Sequence, residues 1–241
     1  MTRRLAIAAL LSATLAAAPA LATPFGGDDG SANVPSDPGA LKYEGKVGNL
    51  LAKFQKCVLK CHVNRAALKY PDDAGGMGET LEDGCENVCA QKYDAKATAL
   101  GTAPDGASCV NTQSIRLLWV ATLDAQSNQI FCDGTTPVVT GDDTTKIPSS
   151  PTILTCEKKL ASIVANLLKC QAKCHLSRAK GKIADDTGED TNCETSICVT
   201  AKYSPKTAAL VGCPGCLNFA TLASNSLANG DNNAGLVYCA P

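Results

Sequence analysis

Two stretches concentrate the residues whose types and spacing could do chemistry. Lys56-Cys57-Val58-Leu59-Lys60-Cys61-His62 recurs as Lys169-Cys170-Gln171-Ala172-Lys173-Cys174-His175, and the chain holds no other histidine. Cysteines four apart lie one turn apart on the same face of a helix. Oxidised, such sulfurs staple their helix to a neighbour. With haem, Cys57, Cys61, Cys170 and Cys174 would form thioethers and His62 and His175 would be axial ligands, in a motif one residue longer than C-x-x-C-H. Reduced, the thiolates could hold copper or zinc.

The compartment bears on that choice. Arg3-Arg4, the apolar run Leu5 to Ala18 and Ala20-Leu21-Ala22 read as a signal peptide over residues 1–22. The apolar run is shorter than the ~20 residues a membrane span needs. All 14 cysteines follow the signal, an even number, and aromatic residues make up only 4% of the chain. An exported, cysteine-dense chain with few aromatics is expected to be held by disulfides, in the periplasm or outside the cell. Removing Arg3 and Arg4 takes the formal net charge from −1 to −3. That mild balance gives no electrostatic reason to expect nucleic acid as a partner. No later segment is apolar enough for a membrane span.

The elements that must position the cysteines are helices. Val47, Leu51, Phe54, Cys57, Val58 and Cys61 recur at three- and four-residue steps. Leu81, Cys85, Val88 and Cys89 mark a second helix. Asp94 is expected to cap a short third one, and Ile115 to Leu123, with Trp119, reads as a further buried helix. At an offset of 113, Val47, Leu51, Phe54, Cys57, Cys61 and His62 fall on Leu160, Val164, Leu167, Cys170, Cys174 and His175. The offset is 108 and 109 at the next cysteine pair, and 107 for Cys109 on Cys216 and Cys132 on Cys239. This is an internal duplication. Thr191-x-x-Glu194 reads as a capping box in the second copy. The expected fold is all-α: a flexible lead-in (23–40), repeat 1 (41–134), a linker (135–150) and repeat 2 (151–241).

Antiparallel hairpins place inner cysteines opposite inner and outer opposite outer. The expected pairs are Cys61–Cys85 and Cys57–Cys89, then Cys174–Cys193 and Cys170–Cys198. The five-residue step from Cys193 to Cys198 turns about 500°, off-face on a regular helix. Cys109 and Cys132 are 23 apart, as are Cys216 and Cys239, so each is expected to close its own unit. Cys156 and Cys213 align with Tyr43 and Gly106, and their joint absence from copy one pairs them. Seven bridges then use every cysteine.

The paired C-x3-C hairpins resemble the twin-cysteine hairpins of the coiled-coil-helix-coiled-coil-helix proteins of the mitochondrial intermembrane space. That family's cysteines form two inter-helix bridges, and many members are small assembly or scaffold proteins. The resemblance covers only Cys57 to Cys89 and Cys170 to Cys198. It departs in the export signal, the C-x4-C of copy two and the additional C-terminal bridges, and carries no function across.

Other chemistries find less support. Asp72-Asp73 and Asp185-Asp186, with Glu79 and Glu189 nearby, could attract calcium, but the spacing is not that of the twelve-residue helix–loop–helix site and suits turn chemistry. No nucleophile accompanies either histidine, and no glycine-rich phosphate loop follows a strand. The expectation is a non-enzymatic binding or structural module without cofactor or metal, for a protein partner or a small hydrophobic ligand. A two-haem electron carrier and a metal-binding protein are the alternatives.

Overall fold

The computed structural model describes residues 23–29, 32–70, 77–135 and 145–240; the stretch expected as a signal peptide (1–22), Asp72-Asp73, the side chain of Glu79 and most of the expected linker lie outside these. The protein is all-α, with one two-stranded sheet among the described residues, β1 (Thr23–Pro24) against β2 (Asn33–Val34).

Each copy opens with a 29-residue helix, α1 (Pro38–Ala66) and α4 (Pro151–Ala179). Both start alike: Asp37 or Ser150 caps the helix by accepting an N–H three residues on, and proline follows at the first position, where its missing N–H costs nothing. A 29-residue helix is about 43 Å long. The two pack antiparallel. Gly45 of α1 meets Leu176 near the end of α4, so close that a Cβ would stand 2.8 Å from Leu176 Cδ1, while Leu59 and Val63 share a groove with Lys158 and Ala161. Val47, Leu51, Phe54 and Val58 meet Leu160, Val164, Leu167 and Leu168 in one buried core. The periodicity that predicts the helices also fills this seam.

Against α1 lies α2 (Met77–Thr98); against α4 lies π1 (Gly188–Tyr203), a π-wound helix that runs directly into α5 (Ser204–Ala208). The third helix expected from Asp94 does not exist separately, because α2 continues through that position to Thr98. Thr191 is not a cap either. Asp185 takes that role, its Oδ1 accepting the N–H of Gly188 at 2.7 Å. On the far side of the long pair lie α3 (Thr112–Gln126) and α6 (Phe219–Asn232), capped by Asn111 and Asn218 in matching fashion.

All 14 cysteines are bridged. The four hairpin bridges join as antiparallel packing predicts, and Cys156 pairs with Cys213 as their joint absence from copy one predicts. The remaining two are exchanged: Cys109 pairs with Cys239 and Cys132 with Cys216. The expected duplication would give equal 23-residue spacing whichever way the four cysteines pair, so the spacing carries no pairing information. Buried glutamates decide the matter. Glu44 of α1 accepts the N–H groups of Cys239 and Ala240, and Glu157 of α4 accepts that of Cys132 at 3.2 Å. Each copy's closing segment is thereby held on the long helix of the other copy.

The lead-in, expected to be flexible, is also docked. Phe25 is buried and stacks on Tyr238, and the N–H of Asn33 donates to the Tyr238 carbonyl. Apolar burial of one aromatic and a two-residue ladder fix a segment whose composition predicts none of this.

Candidate metal centres

The histidines of the two motifs are buried, and each imidazole is surrounded by carboxylates. In the first copy His62 Nε2 lies 3.1 Å from Glu86 Oε1, 3.3 Å from Asp124 Oδ1 and 3.7 Å from Glu82 Oε1. In the second, His175 Nε2 lies 3.1 Å from Asp231 Oδ1, 3.3 Å from both Glu194 Oε1 and Asp29 Oδ1, and 3.8 Å from Glu189 Oε1. All of these side chains are more than nine-tenths buried.

Each centre is assembled from separate elements. The long helix brings the histidine, one residue after the inner cysteine, so the inner disulfide fixes its height against the neighbouring helix. That neighbour brings two glutamates, each three or four residues ahead of a cysteine. In α2 the run is Glu82-x-x-Cys85-Glu86-x-x-Cys89; in π1 it is Glu189-x3-Cys193-Glu194-x3-Cys198. The helix after it supplies the aspartate, Asp124 from α3 or Asp231 from α6. The second centre takes its fourth carboxylate, Asp29, from the docked lead-in.

A shell of support surrounds the second centre. Gln171 Nε2 donates to Asp231 Oδ1 at 2.6 Å and to the Leu227 carbonyl at 2.7 Å. Gly230 makes that reach possible, since a Cβ there would collide with the Gln171 amide. Arg178 donates to the carbonyls of Phe25 and Ala184, tying lead-in and interhelix turn to α4. The Tyr238 ring stands edge-on to His175.

No family model, no curated protein and no solved structure matches the chain. The site must therefore be read from its own chemistry.

Buried carboxylates are costly unless paired. Both oxygens of Asp29 and of Glu189, and Oε1 of Glu194, make no hydrogen bond in the structure. Burial pushes the carboxyls up: Asp29 to about 6, Glu86 and Glu194 to about 7 and Glu189 to about 9. Burial alone would lower His175, but its hydrogen bond to Asp231 and the close carboxylates of Glu194 and Glu189 prevail and raise it well above its ordinary value. Without a cation the cluster therefore has to take up protons. With one it does not. Ligand atoms ~2.1 Å from a common ion and at right angles are about 3 Å apart, close to the 3.1–3.3 Å separations of the nearest oxygens from Nε2.

The sulfurs are not available for the same purpose. Cys57, Cys61, Cys170 and Cys174 are all in hairpin disulfides, so thiolate ligation or a haem thioether would require those bridges to be open. Of the acidic residues singled out in the turns, Glu189 enters the second centre while Asp185 caps a helix.

Sequence reasoning missed Glu82, Glu86, Asp124, Asp29, Glu194 and Asp231. A signal for them existed. The offsets that align the cysteines carry Asp124 onto Asp231 (107) and Glu86 onto Glu194 (108), so these acids persist in both copies.

Proposed function

We propose that this disulfide-rich helical protein is an exported metal-binding protein with two buried centres, one built on each copy's histidine. The carrying observation is the convergence of four buried carboxylates on His175 Nε2, with the oxygens of Asp29 and Glu189 making no hydrogen bond. One imidazole nitrogen with three or four carboxylates is a hard, mixed N/O set. It suits Mn²⁺ or Fe²⁺ better than Ca²⁺, which takes oxygen alone, or Cu⁺, which prefers sulfur. The ligands are closed off from solvent and no nucleophile among the described residues stands beside them, which supports a structural or carrier role over catalysis. The histidines serve as ligands here, in place of the axial haem role.

Elemental analysis of protein purified from the periplasm of a manganese- and iron-replete host tests this. Two ions per chain are expected, falling to one in Glu189→Gln/Glu194→Gln, with the intact mass equal to the bridged chain without haem. A metal-free protein with all seven bridges, unchanged in thermal stability by chelator or by added Mn²⁺, Fe²⁺ or Zn²⁺, would refute the reading.

A further inference from the structure

The mild net charge conceals a segregation. Carboxylates gather inside, at the two centres, and lysines gather outside, over the four-helix layer of α2, α1, α4 and π1. Three adjoining grooves run between these helices. The α2–α1 groove is rimmed by Lys53, Lys92 and Lys96 over Phe54 and Tyr93. Its neighbour between α1 and α4, about 360 Å³, shares Lys53 and Cys57 with it and adds Lys56, Lys60 and Lys158 over Leu59 and Val63. The groove between α4 and π1 carries Lys169, Lys173, Lys202 and Lys206 over Ile163 and Leu167. No acidic side chain lines any of the three.

Within the fold Lys202 donates to Cys170 Sγ at 3.4 Å. Arg116 pairs with Asp94 at 3.1 Å, whereas none of the ten lysines pairs with a carboxylate among the described residues. Four positions are the same in both copies: Lys56 and Lys169, Lys60 and Lys173, Lys92 and Lys202, Lys96 and Lys206. They persist although π1 is wound differently from α2. Ion pairing inside the fold cannot account for that persistence.

We propose that this face docks on an anionic phospholipid surface. Charge complementarity selects an anion, and the layout selects a surface. Lys53, Lys56 and Lys60 stand three and four residues apart, and the pairs Lys92/Lys96, Lys169/Lys173 and Lys202/Lys206 four apart. Neighbouring helices lie ~8–10 Å apart, so the charges form a two-dimensional array. A linear polyanion needs one track; a plane of headgroups meets them all. The face has lysine and no arginine, and Tyr93 and Tyr203 are buried, so it lacks the forked donors and stacking rings that read nucleic acid. Apolar groove floors beneath long aliphatic stems suit lysines that lie along the surface with their ammonium groups at phosphates. The proposal does not depend on the metal centres.

Sedimentation with vesicles tests it, using the purified full-length protein and phosphatidylcholine with or without 30% phosphatidylglycerol. Binding is expected only to the anionic vesicles and is lost in high salt. At about fivefold per lysine, Lys56→Gln/Lys60→Gln/Lys169→Gln/Lys173→Gln should weaken binding at least ~50-fold while the melting curve stays unchanged. Lys69→Gln/Lys180→Gln/Lys182→Gln, off the face, should leave it intact. Equal binding to neutral vesicles, or indifference to the four face substitutions, overturns the proposal. So does tighter binding of heparin or a single-stranded oligonucleotide through the same lysines, which would assign the face to a linear polymer. Should the quadruple variant fail to fold, the salt dependence of the unmodified protein decides.

Discussion

The hairpins of the two copies do the same work with different windings. In α2 glutamate and cysteine repeat every four residues, and an α-helix brings the fourth residue back over the first. In π1 they repeat every five. On an α-helix five residues overshoot a full turn by about 140°, which would carry Cys198 and Glu194 away from α4. The i→i+5 hydrogen bonds of a π-helix return the fifth residue to the same face. Cys193 and Cys198 still reach Cys174 and Cys170, and Glu189 and Glu194 still reach His175. The position of bridges and ligands is the quantity held fixed, and the winding adjusts to it.

The largest expected effect comes from breaking that match. Deleting Asn192 alone leaves Glu189 and Cys193 one residue out of step with each other. The variant should lose the Cys174–Cys193 bridge and the second centre, drop from two ions to one, and fall in stability by roughly 3–5 kcal/mol. Deleting Ser196 as well restores the four-residue repeat of α2. The double deletion should regain both bridges and the second ion on an α-wound helix. Peptide mapping, metal content and denaturant melts separate these outcomes; a single deletion with two ions would dissolve the registry account.

A second contrast sets the hairpin bridges against the exchanged ones. Cys109–Cys239 closes 130 residues and Cys61–Cys85 only 24. If cross-links act by restricting the unfolded chain, Cys109→Ser/Cys239→Ser should cost about 4–5 kcal/mol and Cys61→Ser/Cys85→Ser about 3. The ranking should invert for metal content, because the inner hairpin bridge fixes His62 beside Glu86 whereas Cys109–Cys239 touches neither centre. Equilibrium unfolding alongside elemental analysis reads both.

What was legible in the sequence follows the range of each interaction. The C-x3-C pairs show hairpin and bridge together, since both cysteines and their partners lie on adjacent helices. The C-x4-C step was visible as a misfit; its resolution by rewinding a whole helix was not, because local periodicity is read against an α template. Cys132 to Cys216 and Asp29 to His175 depend on how one copy docks on the other. No spacing within a copy encodes that. The acids of the centres were hidden for a related reason: Asp124 looks like an ordinary polar residue on α3 until α3 is laid on α1.

The docked ends also carry a pH signature. Burial lifts Glu44 and Glu157 to about 7, only partly opposed by the N–H groups they accept. A carboxyl raised on folding binds protons more tightly in the folded state, so its contribution is fully present below about pH 4.5 and lost as pH rises through 7. Glu44→Gln and Glu157→Gln keep the acceptor and remove the ionisation. Each should match the parent at pH 5 and exceed it at pH 8 by roughly 1 kcal/mol. Urea melts at both values, with chelator throughout, read the difference; a parent more stable at pH 8 than its variants would reverse the sign.

The smallest effect distinguishes the copies at a single backbone angle. Both long helices end with the same pair of hydrogen bonds, Lys69 N–H to the Asn64 carbonyl and Leu68 N–H to that of Arg65, answered by Lys182 to Ser177 and Gly181 to Arg178. Such an ending needs a left-handed residue just past the helix, and glycine takes that conformation without steric cost. Copy two has Gly181 at φ 65°; copy one has Leu68 at φ 52°, its side chain more than half exposed. Because Leu68 buries little, replacing it forfeits little, and the strain relieved is about 1 kcal/mol. Part of that is offset by the greater freedom glycine gives the unfolded chain. Leu68→Gly should therefore stabilise the protein by about 0.5 kcal/mol, while Gly181→Leu should destabilise it by about 1 kcal/mol. Paired chemical denaturation of the two variants measures both, and a loss of stability in Leu68→Gly would mean that Leu68 is held by more than the helix ending it shares with its counterpart.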